Sequence, residues 1–263
     1  MPTILSSDRT APVVTSASLN IASYNRRGAA TYGARVDRYA RRRLDAQVDV
    51  IDLQEVGHGR NRWFKPNGRM RDRLDEAWGE TYRRHIGSDG RYCFSHRVRA
   101  RPLKSGVITA ERSTWFRGDD KQAAYLVFKR FKAVAMDVSF HLESSEHPSA
   151  EAKRVEQLLS IVSQALAIAE EWGVDLRNVL FVGDANSEHD VAAAMAVAGW
   201  RDVAAGTPFA AEPTFTGWDG RARHRYDYGF VHDTAGPALL TAVLHDPAIS
   251  DHAELVIERT LVV

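Results

Sequence analysis

The stretch VLFVGDANSEHD, residues 179–190, ends an apolar run with a glycine, an acid, a small residue and an amide. In an extended segment the side chains at i and i+2 point the same way, so the sequence places Asp184 and Asn186 on one rim while Ala185 turns back. Gly183 leaves room for a close approach. An acid and an amide on one rim suit a site that takes a proton and holds an oxygen in place. The same residues also read as a turn followed by a helix cap, with a helix from near Ser187 through the alanines to Ala198.

Other strand-like runs end in polar residues of the same kind. LNIASYN ends at Asn25, VIDLQEV carries Gln54 and Glu55, DVSFHLE carries His141, RYDYGF carries Asp227, and AISDHAEL carries Ser250, Asp251 and His252. Each has a plainer reading: a turn for Asn25, a solvated charge for Glu55, a satisfied core histidine for His141, a partner of Arg225 for Asp227, a loop acid for Asp251. Together they form a coherent chemistry, because several acids and histidines at the ends of apolar strands are costly unless a cation or substrate satisfies them. Asn25, Glu55 and Asp251 offer hard oxygens, which suit Mg²⁺ or Mn²⁺. Asp184 would take a proton from a water, Asn186 would orient that water or a phosphate, His252 and His141 would donate to phosphate oxygens, and Asp227 would fix the tautomer of His252. This set fits hydrolysis of a phosphate ester by a water attacking in line.

The elements that must position these residues alternate along the chain. Strand-like runs fall at 13–25, 48–56, 106–110, 123–131, 132–142, 178–186, 226–232 and 253–263. A long amphipathic helix is expected over Ala150–Trp172, with Val155, Leu158, Leu159, Val162, Leu166 and Ile168 on its apolar stripe, and shorter helices near 34–46, 69–78 and 188–198. Many strands with a few separated helices imply two sheets packed face to face with helices outside. The loops at 57–68 and 204–224, rich in Gly, Arg and aromatics, are the expected walls of the site.

Composition narrows the class. The 263 residues, 44% hydrophobic, can bury a large core, and the absence of a linker or low-complexity segment points to one domain over residues 1–263. No apolar run has the ~20 residues of a membrane span, and the N-terminus lacks the basic-then-apolar order of a secretory signal, so the expected setting is cytoplasmic. Cys93 is the single cysteine, which excludes an internal disulfide and a cysteine zinc site. Net charge is +1, but residues 21–104 carry 20 Lys and Arg against 10 Asp and Glu, whereas residues 105–263 carry 14 against 23. The first half could present a cationic face to nucleic acid and the second gather carboxylates around a cation; solvated helix faces are the other reading. No sequence feature points to a protein partner, and a monomer is expected.

The ordered set Asn25, Gln54-Glu55, His141-Leu142, Gly183-Asp184-Ala185-Asn186, Asp227-Tyr228 and Ser250-Asp251-His252 resembles the endonuclease/exonuclease/phosphatase superfamily, of deoxyribonuclease I-like fold, over about residues 17–262. KSGVITAER (104–112) and PTFTGWDGRARHRYDYGFV (213–231) are softer echoes of the same pattern. The resemblance implies a four-layered α/β/β/α sandwich of two packed, mainly antiparallel sheets flanked by helices, with two pseudo-symmetric halves and a divalent-metal site at one end. It implies Glu55 as principal metal ligand with Asn25 and Asp251 beside it, Asp184 and Asn186 at the nucleophile and phosphate, and Asp227 paired with His252. His141 before Leu142 resembles deoxyribonuclease I, the neutral sphingomyelinases, the inositol polyphosphate 5-phosphatases and the deadenylases; the abasic-site endonucleases usually carry a tyrosine there. Deoxyribonuclease I has a carboxylate behind this histidine, for which Glu111 is a candidate by location, beside the reading of a surface acid.

The substrate expected on this basis is nucleic acid, cut at phosphodiester bonds, with the loop HGRNRWFKPNGRMR (58–71) tracking the backbone and Trp63 and Phe64 stacking bases. The alternatives are an inositol-phosphate phosphatase, a sphingomyelinase-like phospholipid phosphodiesterase, and an inactive scaffold that binds nucleic acid or protein.

Overall fold

The computed structural model describes residues 11–21, 29–46, 48–54, 68–79, 81–85, 95–112, 120–143, 149–216, 221, 223–246 and 249–263. Asn25, Glu55 and the loop 58–67 lie outside the described residues.

Two six-stranded sheets stack face to face. The first runs β11 (Ala238–Leu244), β12 (Glu254–Thr260), β1 (Val13–Asn20), β2 (Val50–Gln54), β4 (Ser95–Val98), β3 (Arg83–His85). The second runs β5 (Arg101–Arg112), β6 (Asp120–Arg130), β7 (Ala133–His141), β8 (Val179–Asp184), β10 (Asp227–His232), β9 (Trp200–Asp202). All neighbours are antiparallel except β1 with β2 and β7 with β8. Parallel neighbours need a crossover, and helices supply both: α1 (Ala29–Asp45) joins β1 to β2, and α3 (Ala150–Glu171) joins β7 to β8. These two βαβ units are the pseudo-symmetric halves the resemblance implies, and the expected four-layered sandwich is observed. α2 (Gly68–Trp78) lies beside α1, and α4 (Asp190–Val197) beside α3.

Strand alternation explains the layering. On β1, Ala17 and Leu19 turn outward to Val36, Tyr39 and Ala40 of α1 and to Leu74 and Trp78 of α2. On β7 and β8, Val138, Phe140 and Phe181 turn outward to Leu158, Ile161 and Ala165 of α3 and to Val191 and Met195 of α4. Each of the Val, Leu, Ile, Phe and Met side chains among these contributes about 1.5–3 kcal/mol on burial. The apolar stripe of α3 is centred on Leu158, Ile161, Ala165 and Ala169, with Val155, Leu166 and Ile168 at its margins and Leu159 39% exposed. The sequence stripe favoured bulk; the helix instead turns its small residues inward, which lets it lie close to the sheet.

The inner faces are unusual. Near one end they are apolar, with Val14, Val50, Leu126, Phe128 and Ala135 in one cluster and Leu180, Val182, Leu240, Leu255 and Ile257 in another. The same inward-facing rows turn polar further along the strands and form a buried column: Ser16, Ser18 and Asn20 on β1, Gln54 on β2, Asp137, Ser139 and His141 on β7, Asp184 on β8. Ser16 Oγ donates to Asp137 Oδ2 at 2.8 Å, and Asp137 also pairs with Arg259. One rung up, Gln54 Nε2 donates to Ser18 Oγ at 3.1 Å and to Ser139 Oγ at 2.6 Å. The top rung is the candidate site.

Strands β3, β4, β9 and β11 carry no periodic signal in the sequence analysis, because three of them have only three or four residues and β11 alternates weakly at a sheet edge. β5 begins at Arg101, five residues before the expected run, and tolerates Pro102 because it is an edge strand with a register shift there.

Candidate active site

The two parallel pairs end at the same place. Asn20, Gln54, His141 and Asp184 are the last residues of β1, β2, β7 and β8, and in register Asn20 stands opposite Gln54 and His141 opposite Asp184. β10 runs antiparallel to β8 and sets Asp227 opposite Asp184 from the other side. The segment before β12 brings His252 over the top.

Asp184 is the hub. Its Oδ2 accepts from Asn20 Nδ2 at 2.8 Å and lies 3.4 Å from His141 Nε2 and 3.7 Å from His252 Nε2. Its Oδ1 accepts from the Asn186 N–H at 2.9 Å. On the far side of His252, Nδ1 sits 2.9 Å from Asp227 Oδ2, so an imidazole is held between two carboxylates. Thr214 Oγ1 accepts from the Asp227 and Tyr226 N–H groups at 2.9 and 3.0 Å and fixes the start of β10.

Burial and charge set the protonation states. Burial raises the Asp184 carboxyl, but the charges of His252 and His141 and the Asn186 N–H outweigh it and hold the group well below the usual carboxylate range. Burial alone would lower His252; the carboxylates of Asp227 and Asp184 reverse this and push it up to about 10. At neutral pH the arrangement is therefore a carboxylate at Asp184 next to an imidazolium at His252.

Three expectations change in their detail. Asn186 does not continue the strand: β8 stops at Asp184, and Asn186 sits at φ 50°, a left-handed conformation that Asn tolerates. The period-two argument therefore fails there, and Asn186 reaches Asp184 by its backbone N–H while its side-chain Nδ2 donates to the Leu142 carbonyl at 3.2 Å. The closely approaching group at Gly183, φ 153°, is the neighbouring strand itself, since a Cβ there would meet the Phe140 carbonyl oxygen at 2.0 Å. The helix after the turn starts at Asp190, later than Ser187, whose Oγ accepts from the Val191 N–H at 3.4 Å.

The structure brings together His141, Asp184, Asn186, Asp227 and His252. Asp251, half-buried, adjoins His252, with Ser250 Oγ 3.4 Å from its Oδ1 and its carbonyl accepting from Thr216. Arg225, the other partner considered for Asp227, instead makes a two-pronged pair with Asp202 at 2.6 and 2.9 Å. The side chain of Glu111 lies outside the described residues.

Asn20 is the residue the sequence analysis missed. Its Oδ1 is buried and accepts no hydrogen bond among the described residues. The signal was present: Ser16, Ser18 and Asn20 share one parity on a strand whose other parity is apolar, and reading the strand through to Asn25 hid it. Among the described residues, Asp184, Asp227 and His252 also place ligand atoms within 4.8 Å of one another, as a metal site would. Beside them a ledge of rings leads outward: Phe215 lies 5.0 Å from His252 and stacks on Tyr226 at 5.4 Å, and Tyr226 stacks on His224 at 5.0 Å.

By sequence the chain matches no family model and no curated protein. By structure it is similar to the endonuclease/exonuclease/phosphatase from Bacteroides vulgatus, 18% identical, TM-score 0.73, covering 95% of this chain and 100% of that one. It is similar to D. rerio TDP2 complexed with single-strand DNA product, 18% identical, TM-score 0.66, covering 94% and 99%. It is also similar to a mannosyl-6-phosphatase from Bacteroides thetaiotaomicron, 15% identical, TM-score 0.69, covering 93% and 98%. The chain therefore has the deoxyribonuclease I-like fold of the endonuclease/exonuclease/phosphatase proteins, as its ordered motifs implied.

Proposed function

We propose that this chain is a divalent-metal-dependent phosphoesterase that hydrolyses phosphodiester bonds of nucleic acid. The observation that carries the reading is the line Asp227, His252, Asp184, His141: a carboxylate between two histidines, with a second carboxylate behind one of them. The fold shared with phosphatase and TDP2 proteins supports it.

Asp184, ionised across the physiological range, accepts a hydrogen bond from the attacking water and takes up its proton as the bond to phosphorus forms. The Asn186 N–H and Asn20 hold that carboxylate in one orientation. His252, charged and fixed at Nδ1 by Asp227, donates from Nε2 to a phosphoryl oxygen that gains charge, and His141 flanks the same oxygens. Asp251 and the Asn20 Oδ1 that accepts no hydrogen bond among the described residues, with Asn25 and Glu55 from the sequence, are hard oxygens that would suit Mg²⁺ or Mn²⁺. When bound, the cation neutralises phosphoryl charge. The Asp184–Asp227–His252 triplet fits a cation less well, because an imidazolium has no lone pair to give.

Nucleic acid is favoured by the ring ledge, which offers a planar surface to a base next to the reacting phosphate. A phosphomonoesterase acting on a small phosphorylated molecule is the second reading, favoured by the likeness to a mannosyl-6-phosphatase. The test is hydrolysis of supercoiled plasmid, single-stranded RNA, bis(p-nitrophenyl) phosphate, p-nitrophenyl phosphate, an inositol polyphosphate and sphingomyelin, each with Mg²⁺, Mn²⁺ or EDTA. Cleavage of plasmid or RNA that EDTA stops supports the nuclease. Turnover of monoesters alone selects the second reading, and silence on every ester removes both.

A further inference from the structure

The segment from Asp246 to Glu254 carries Ser250, Asp251 and His252, and it is held from outside the sheet by one helix. Arg35, Arg38, Tyr39, Arg42 and Arg43 follow helical spacing and form one stripe of α1. Arg38 Nε donates to Asp246 Oδ2 at 2.8 Å, and Arg42 approaches the same oxygen at 3.6 Å. Arg35 donates from Nε to the Ile249 carbonyl at 2.6 Å and from a second guanidinium nitrogen to the same oxygen. Glu254, fully buried, receives Tyr39 Oη at 2.8 Å, Arg42 at 2.7 Å and Arg43 at 2.9 Å. The segment is thus pinned at its start, its middle and its end.

The interior of the segment transmits that grip to the site. The Ile249 and Ser250 N–H groups donate to the Asp246 carbonyl at 2.7 and 3.1 Å, so fixing Asp246 also fixes Ile249 and Ser250. Ser250 Oγ donates to the Asn20 carbonyl at 2.6 Å and accepts from the His252 N–H at 3.1 Å. His252 stands two residues before Glu254, and Asn20 is the residue whose side chain holds Asp184. Burying a carboxylate against two guanidinium groups is often no more stable than an apolar contact of the same shape. Here the ions set a position.

We propose that α1 is a positioning element for the reacting groups, with Arg42 and Glu254 as positioning residues that act through Asp251 and His252. This rests on the functional reading above for its kinetic part alone. Arg42 is the pivot, since among the described residues it alone forms ion pairs with both Asp246 and Glu254. The pairing also consumes part of the cationic excess of the first half: three α1 arginines are spent on acids of the second half rather than displayed to a polyanion.

The test compares Glu254→Gln, Arg42→Ala, Arg42→Lys and Asp246→Asn with Asp137→Asn. The last breaks a buried ion pair at the opposite end of the polar column, four residues below His141 on β7. Imidazole ¹⁵N resonances of His252 are recorded in EDTA, together with thermal midpoints and kinetics on bis(p-nitrophenyl) phosphate. In Glu254→Gln and Arg42→Ala the His252 resonances should move, and kcat should fall by about 10- to 100-fold at a near-constant KM. Arg42→Lys should recover most of this, and Asp137→Asn should lose midpoint without moving His252. If Glu254→Gln does not fold, the Arg42 pair and Asp246→Asn decide. His252 resonances that stay in place in every α1-facing variant, with midpoints lowered as in Asp137→Asn, would overturn the proposal. If the unaltered protein hydrolyses no ester, the functional reading fails while the resonances still decide the brace.

Discussion

The charge on His252 can be removed without removing the residue. Asp227→Asn keeps the shape and an oxygen within reach of Nδ1 but deletes the carboxylate 2.9 Å away. In the folded protein His252 is raised from 6.5 to about 10. At 1.36 kcal/mol for each pKa unit, that difference is about 5 kcal/mol in favour of the imidazolium. The carboxylates of Asp227, Asp184 and, least, Asp251 supply it against burial, and Asp227 is the hydrogen-bonded one. At an effective dielectric of ~20, a charge pair at that distance is worth about 6 kcal/mol, or about 4 pKa units, so losing Asp227 should erase the elevation and return His252 to its ordinary range or below. The assay is an NMR titration of histidine Cε1 and Nε2 in EDTA, with His252→Asn for assignment. A group whose folded pKa is raised contributes stability fully present below its ordinary value, here 6.5, and lost as pH rises towards 10. The urea stability gap between the native protein and Asp227→Asn should therefore be widest near pH 6 and shrink as pH approaches 10. The alkaline limb of kcat/KM should move down by about 2 pH units or more in the variant. A His252 that titrates near 6.5 in the unaltered protein, or that stays where it is in Asp227→Asn, would refute the reasoning.

Asp184→Asn should lower turnover by about a thousandfold, because it removes the proton acceptor, and should lower the urea midpoint at neutral pH as well, because the buried carboxylate is held in its charged form by the two histidines and the Asn186 N–H; unchanged kinetics would take Asp184 out of the mechanism. Mg²⁺ at a hundred times its Kd should stabilise the native protein by about 2.7 kcal/mol, and Asn20→Leu should abolish that gain in a thermal-shift titration; a gain that persists would place the cation elsewhere. Glu55→Gln should raise the Mg²⁺ concentration needed for half-maximal rate, read from a metal titration. Gly183→Ala should cost about 3 kcal/mol or more, seen by chemical denaturation, since the added carbon meets the Phe140 carbonyl at 2.0 Å.

Sequence order revealed the fold more readily than sequence periodicity did. The ordered polar strand ends identified the sandwich, and β7, β8 and β10 deliver His141, Asp184 and Asp227 to one place, as the analysis of strand ends expected. What escaped was either short or local. β3, β4 and β9 are too brief to show a period, and their pairing is decided by neighbours distant in sequence. Asn20 escapes because the strand-like run continues to Asn25, which draws attention to its last polar residue and away from the even-numbered row Ser16, Ser18 and Asn20 inside it. The departure of Asn186 from the strand follows from an Asp184 side chain that bonds back to the next turn, a contact that no pattern of hydrophobicity encodes. The charge asymmetry was visible, but its use by α1 against Asp246 and Glu254 was not, because salt-bridge partners over 200 residues apart leave no local mark.

The order of strands in the first sheet bears on synthesis. β12, the last strand in the chain, lies between β11 and β1 and pairs with β1 from Val13↔Thr260 to Ser18↔Leu255. β1 therefore emerges from the ribosome long before this partner exists, and the loop that closes the pair runs from Val13 to Thr260, the kind of pairing that forms slowly. His252 arrives with that same strand. A nascent chain that has not yet delivered β12 lacks both the inner pairing of β1 and the imidazole held between Asp227 and Asp184, so the buried cluster is completed only when β12 docks.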